Sequence, residues 1–101
     1  MKWRIVYAER AQRDIGAIYD RIARHDTAAA QRVEDLIRAN CERLQDFPMA
    51  SASTDEPNVR RMPLVRHPYT IFYRVDRIEQ IVEIARVVHG ARVRNLGIVP
   101  D

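Results

Sequence analysis

The sequence predicts an α+β domain in which an antiparallel helical hairpin packs on one face of a mainly antiparallel sheet. The first half of the chain contains two segments with apolar residues at helical spacing, separated by a short break. The second half contains three segments rich in β-branched and aromatic residues. Since neither helix can bury its apolar stripe alone, packing both helices on the sheet is the simplest solution. The predicted order is one strand, two helices and three strands.

A short strand and a helix open this order. Residues 3–7, with the sequence WRIVY, have the β-branched and aromatic side chains that strands favour. Residues 8 to about 25 then place apolar side chains at steps of four, three and four, along one side of a helix. These side chains belong to Ala11, Ile15, Ile18 and Ile22.

A second helix is predicted from about residue 28 to residue 46. Asp26 and Thr27 interrupt the first pattern and offer an N-cap for the second. Phe47 and Pro48 end the helix, because the residue before a proline disfavours helical backbone. So short a break between two helices predicts an antiparallel hairpin. The apolar side of this helix is marked by Val33, Ile37, Leu44 and Phe47.

The remaining segments predict a loop and three strands. Residues 49–58, MASASTDEPN, are small and polar and predict an exposed loop. Residues 59–65 form a strand in which Pro63 favours an edge position or a bulge. Residues 69–75, YTIFYRV, are apolar on both faces and predict a central strand. Residues 81–88 return antiparallel to it.

The hairpin loop at residues 76–80 sets the register of the last two strands. With this loop, Arg74 lies opposite Glu83. Opposite charges at facing positions of an antiparallel pair stabilise it by up to ~1 kcal/mol. The sequence therefore predicts a cross-strand ion pair on these two residues.

The positive charge of the chain lies mainly in its second half. The formal net charge is +3, and 16 of the 17 basic residues are arginine. Residues 57–94 contain eight arginines but only three acidic residues. Arginine makes bidentate bonds to phosphate and carboxylate, so a basic face favours a nucleic-acid or acidic-protein partner. The alternative is a codon bias that writes arginine wherever lysine would serve.

Other classes of protein are disfavoured by the composition. The only cysteine, Cys41, cannot form an intrachain disulfide and is expected to be a buried apolar residue, as in a reducing cytoplasm. No apolar run approaches the ~20 residues of a membrane helix, and no signal peptide is recognised, so no membrane partner is expected. The three histidines are scattered, which predicts neither a metal site nor a cofactor.

The candidate functional residues are arginines and one histidine near the ends of the predicted strands. They are Arg61, Arg74, Arg86, His89 and Arg92. Cleavage of RNA needs a base, an acid and cations around one phosphate, and His89 with two arginines could supply them. In the alternative interpretation, Glu83 and backbone carbonyls satisfy the strand arginines, and His89 only ends a strand before Gly90. A lone histidine favours this second interpretation.

Aromatic residues in the predicted central strand have two possible roles as well. Tyr69 and Tyr73 fall on one side of this strand, and Phe72 falls on the other. Exposed aromatic rings on a basic sheet stack on bases. Aromatic residues in a central strand are more often part of the core, which is the interpretation we favour.

Several short strings, in order, resemble the RelE/ParE superfamily of bacterial toxins from type II toxin–antitoxin pairs. They are YAERA at residues 7–11, IYDRIA at residues 18–23, ERL at residues 42–44, VRR at residues 59–61 and the ending HGAR at residues 89–92. The resemblance covers residues 3 to about 94. It implies one toxin domain over residues 1–95, followed by a C-terminal tail over residues 96–101.

The resemblance also implies what such a protein does. It implies a cytoplasmic toxin that arrests growth and that is neutralised in a hetero-oligomer by a cognate antitoxin encoded beside it. RelE-like members cut messenger RNA in the ribosomal A site, whereas ParE-like members poison DNA gyrase. The HGAR ending and the single lysine, Lys2, are more similar to ParE-like members. We therefore expect a ParE-like gyrase poison, and the alternative is a ribosome-dependent endoribonuclease.

The resemblance assigns roles to individual residues only in outline. Arg61 matches an arginine that contacts phosphate in the nuclease members. Arg86 and His89 lie near the catalytic pair at the strand end, although a shift of one residue would move either side chain to the other face. In the gyrase hypothesis, the same residues, with Arg74 and Arg92, are candidates for target contacts.

Overall fold

A computed structural model describes residues 2–90, and it confirms the predicted α+β class. The elements in chain order are β1 (Arg4–Tyr7), α1 (Glu9–Ala23), α2 (Thr27–Arg43), β2 (Ala52–Ser53), β3 (Val59–Pro63), β4 (Tyr69–Asp76) and β5 (Ile81–His89). The sheet has the order β1-β5-β4-β3-β2, in which β1 is parallel to β5 and the other pairs are antiparallel. Arg92 and the predicted tail lie outside the described residues.

The helical hairpin forms as the apolar spacing predicts. Both helices begin and end within three residues of the predicted bounds. Asp26 is the N-cap of α2, where its carboxylate accepts a hydrogen bond of 3.0 Å from the backbone N–H of Ala29. The buried side chains of the hairpin pack against one face of the sheet, which we call the helix face. They are Ala11, Ile15, Ile18, Ile37, Cys41 and Leu44.

The central position predicted for β4 is confirmed. Its side chains from Tyr69 to Tyr73 are all buried, on both faces of the sheet. Tyr69 and Tyr73 belong to the core under the helices, so the interpretation of these rings as core residues is confirmed. Phe72 lies on the other face, which we call the open face, in a small cluster with Val59 and Ala85.

The predicted exposed loop at residues 49–58 is wrong in part, because it contains β2. Ala52 and Ser53 pair with Arg61 and Arg60, so β3 is not the edge of the sheet at these positions. The Arg60 guanidinium donates to the carbonyl of Ser51 at 2.5 Å and to that of Met49 at 3.4 Å. These hydrogen bonds hold residues 49–51 next to β3, although the composition of this segment alone predicts a loop.

The ion pair predicted between Arg74 and Glu83 is confirmed, with 3.2 Å between Nη1 and Oε1. The register changes farther along the hairpin. Tyr73 faces Ile84 but Phe72 faces Arg86, so that Ala85 is an extra residue, a β-bulge. The first of the two alternatives predicted for Pro63, an edge position, is confirmed, because β2 pairs with β3 only at Arg60 and Arg61.

Phe47 also differs from its prediction. The sequence placed it on the apolar side of the second helix, but its side chain is 66% exposed. The helix ends at Arg43, so the helical period no longer applies four residues later, and Leu44 is the last residue of the predicted apolar side that is buried. Within residues 2–90, no helix combines the length and the apolar composition needed to cross a membrane.

Candidate functional site

Arg86, one of the sequence candidates, forms a bidentate ion pair with Asp14 of α1. Its Nε lies 2.7 Å from Oδ2 and its Nη2 lies 3.2 Å from Oδ1. The two side chains are only 12% and 14% exposed. The same carboxylate accepts a hydrogen bond of 2.9 Å from the backbone N–H of Val87. Asp14 therefore binds a side chain and a backbone group of β5 together.

The topology explains why a carboxylate is needed at this place. β1 pairs with β5 only as far as Tyr7 and Ile84, after which the chain enters α1. The edge of β5 beyond Ile84 has no further strand beside it within the described residues. An unpaired backbone N–H near the core is unfavourable, and Asp14 satisfies that of Val87. This contact holds α1 against the C-terminal part of β5.

His89 lies at the exposed end of β5 and faces Tyr69 of β4. The two rings meet edge to face, with 5.9 Å between their centroids and an angle of 89°. Gly90 follows with a φ of 94°, a backbone conformation that glycine adopts without strain. Its N–H donates to the carbonyl of Pro68 at 2.7 Å, just before the first residue of β4.

Arg61 and Arg74 lie on the open face, away from the helices. Arg61 faces Phe72 across the β3–β4 pair, and Arg74 faces Val59. Because directly facing residues share a face of the sheet, both arginines share the face of the Phe72 cluster. His89, by contrast, shares the helix face with Tyr69. Arg86 also faces Phe72, so its position is on the open face, but its side chain binds Asp14 at the edge of β5. Within residues 2–90, His89 is therefore separated by the sheet from the positions of the three arginine candidates.

A cleft beside His89 also contains side chains that were not predicted as functional candidates. The Nη2 of Arg21 donates a hydrogen bond of 3.0 Å to the hydroxyl of Tyr69. Asp14, Ile18 and Arg21 fall at steps of four and three along α1, and this spacing in the sequence indicates that they share one side of the helix. The cleft has a volume of about 240 Å³ and is lined by Asp14, Ala17, Ile18, Arg21, Tyr69, Arg86, Val87, Val88 and His89.

Metal or thiol chemistry has no support in the part of the chain that the structure describes. Among residues 2–90, no three histidine, cysteine or acidic side chains are grouped to hold a metal ion. Cys41 is fully buried, and burial raises the pKa of its thiol to about 12. A thiol with such a pKa is not a nucleophile at neutral pH.

Comparison with known families and structures identifies relatives of this fold. The model of a family described as "ParE toxin of type II toxin-antitoxin system, parDE" matches residues 5–94. No curated protein sequence has significant similarity to the chain.

Three solved structures illustrate the likeness of the fold. The chromosomal ParDE toxin–antitoxin system from P. aeruginosa is 22% identical with a TM-score of 0.77, over 89% of this chain and 98% of that one. The RelBE2 toxin–antitoxin complex from Mycobacterium tuberculosis is 18% identical with a TM-score of 0.69, over 91% and 95%. The isolated RelE toxin from E. coli is 16% identical with a TM-score of 0.66, over 91% and 88%.

The Asp14→Ala variant should lose about 3 kcal/mol of unfolding free energy, because it leaves Arg86 and the N–H of Val87 without their shared carboxylate. The matched control is Glu83→Ala, which removes a carboxylate from the ion pair with Arg74, whose side chains are 34% and 40% exposed. That change should cost under about 1 kcal/mol. Urea unfolding measures both, and equal losses would contradict the role of Asp14.

Proposed function

The chain belongs to the ParE toxin family of type II toxin–antitoxin systems, and from this premise we propose that it arrests growth by poisoning DNA gyrase. The family model covers residues 5–94, which confirms the superfamily resemblance drawn from the sequence. The one observation that supports gyrase over the ribosome is the separation of the nuclease candidates: Arg61 lies on the open face and His89 on the helix face.

A messenger RNA nuclease needs its groups around one phosphate. A base has to reach the attacking hydroxyl, an acid has to reach the leaving oxygen, and cations have to reach the charged transition state. A sheet that separates Arg61 from His89 does not provide that arrangement. Arg86 is held at the edge of β5 by two bonds to Asp14, which opposes its movement towards a substrate.

A poison of gyrase needs binding rather than proton transfer. Such a toxin binds the enzyme when its DNA is cut and slows religation, so stable surface contacts are sufficient. The basic candidates of the second half of the chain suit a partner that includes DNA. In this proposal, Arg61 and Arg74 on the open face, together with Arg92, contact the target, and His89 has no catalytic role.

Purified toxin, gyrase, ATP and supercoiled plasmid test this proposal directly. Linear plasmid DNA should accumulate when the reaction is stopped by a protein denaturant, and the His89→Ala variant should give the same yield, because no proton transfer is required. The same preparation should leave messenger RNA intact on translating ribosomes. Cleaved message without linear plasmid, or loss of poisoning by a folded His89→Ala variant, would contradict the proposal.

The cognate antitoxin is the second partner in this proposal. The similar ParDE and RelBE2 structures are those of toxin–antitoxin systems. In this chain an apolar groove of about 450 Å³ lies between the end of α2 and β3. Phe47 and Val65 line the groove and are 66% and 80% exposed, which is costly unless a partner covers them.

The place of this groove suits a segment of the antitoxin that lies along the helical hairpin and the edge of the sheet. Beyond Arg61, β3 has no β2 residue beside it, so Met62 and Pro63 form an open edge at the groove. Arg43 lines the other side, which favours an acidic or amphipathic segment. An obligate pair of this kind buries on the order of 2,000 Å² or more in total.

The Phe47→Ser variant should bind the product of the adjacent antitoxin gene at least about tenfold more weakly, since it removes a large apolar anchor. The control is Ile78→Ser, which makes the same kind of change at a side chain that is 91% exposed in the β4–β5 loop, away from the groove. Isothermal titration calorimetry measures both variants. Equal affinities for the two would exclude the groove as the antitoxin site.

A further inference from the structure

Three hydrogen-bond donors meet at the cleft between α1 and the end of β5. They belong to the guanidinium of Arg21, the hydroxyl of Tyr69 and the imidazole of His89. The hydroxyl of Tyr69 accepts a bond from Arg21, so its own proton is available to an acceptor in the cleft. Arg21 has further N–H groups, and within residues 2–90 no carboxylate lies at ion-pair distance from it.

The charges around the cleft favour an anion. Among the described residues, Asp14 is the only acidic one that lines the cleft, and its carboxylate is bound by Arg86 and by the backbone N–H of Val87. Among the described residues, Arg21 therefore remains as a positive charge with no carboxylate at ion-pair distance, beside the imidazole of His89. A site with several donors and a net positive charge binds phosphate or carboxylate.

Further basic residues lie in the turn next to the cleft. Pro68 accepts the hydrogen bond from Gly90, so the β3–β4 turn lies beside the end of β5. Arg66 and His67 precede Pro68 in that turn and are exposed. The chain contains no acidic residue from position 57 to position 75. Exposed basic residues near the cleft suit a polyanion that passes across it rather than a small isolated ion.

We infer that this cleft binds a backbone phosphodiester of a nucleic acid, with Arg21 and Tyr69 as its contacts. Arginine and tyrosine side chains are frequent phosphate contacts in nucleic-acid complexes. The volume of about 240 Å³ is below the range of pockets for drug-sized ligands, and it suits a single group of a longer chain.

An acidic protein segment fits this cleft less well. Protein interfaces place apolar anchors at their centre, with charges on the rim. The exposed apolar side chains Phe47 and Val65 line the separate groove at β3, which shares no lining residue with the cleft. The cleft has no large exposed apolar side chain among its described lining residues, and its polar groups are those of Arg21, Tyr69, His89 and the Asp14–Arg86 pair. The two surfaces therefore suit different partners, a protein at the groove and a phosphodiester at the cleft.

This inference does not depend on the choice between gyrase and ribosome. Either target brings a nucleic acid to the toxin, and the phosphodiester is the same chemical group in DNA and RNA. It adds a contact on the helix side of the sheet that the predicted candidates of the open face do not include. It also gives Arg21, a residue of the first helix, a role in target binding.

Fluorescence anisotropy with the full-length toxin tests the cleft. The probes are a labelled short DNA duplex and a labelled single-stranded RNA of the same sequence, each measured over a range of salt concentrations. The Arg21→Gln variant should bind one or both probes about tenfold more weakly and lower the salt slope on the duplex by about 0.9. Tyr69→Phe keeps the ring of the core and should weaken binding by about threefold, since it removes only the hydroxyl donor.

The matched control is Arg32→Gln, which removes one exposed charge from α2 and should change affinity by less than about twofold. Melting by circular dichroism confirms that each variant is folded. Dependence on Arg21 for the duplex, the RNA or both supports the inference and identifies the preferred nucleic acid. Equal binding by Arg21→Gln and Arg32→Gln, no binding of either probe, or tighter Arg21-dependent binding of labelled polyglutamate would overturn it.

Discussion

The carboxylate of Asp14 fixes the place where the first helix meets the sheet, and the shape of the cleft beside His89 depends on it. It accepts two bonds from Arg86 and one from the backbone of Val87, at the point where β1 has ended and β5 continues. Two nearly buried charges are stable only when paired and hydrogen-bonded, as they are here. By fixing α1, this contact places Arg21 beside Tyr69 and forms the cleft next to His89.

A β-bulge decides which face receives the residues at the end of β5. The extra residue, Ala85, changes the alternation, so that Val87 packs under the helices and His89 meets the ring of Tyr69. Without the bulge, His89 would face the side on which Arg61 lies. One inserted residue thus separates the two groups that a nuclease would need together.

Local patterns in the sequence determine most of this fold. The apolar stripes predict both helices, Asp26 predicts the cap, and the loop length predicts the pairing of Arg74 with Glu83. Features that depend on distant partners were not predictable. Asp14 and Arg86 are 72 positions apart, and no local pattern indicates a bulge at Ala85. The segment that contains β2 is held by hydrogen bonds that the Arg60 guanidinium donates to its backbone carbonyls. The cleft was missed for the same reason.

Induction of the gene without its antitoxin, with labelling of DNA and protein synthesis in one culture, tests gyrase poisoning most directly. Gyrase poisoning predicts that thymidine incorporation falls first, together with a DNA-damage response, while methionine incorporation continues for a time. An early fall in methionine incorporation with continuing DNA synthesis would contradict the account. It would require the groups on the two faces of the sheet to act on messenger RNA in the ribosome.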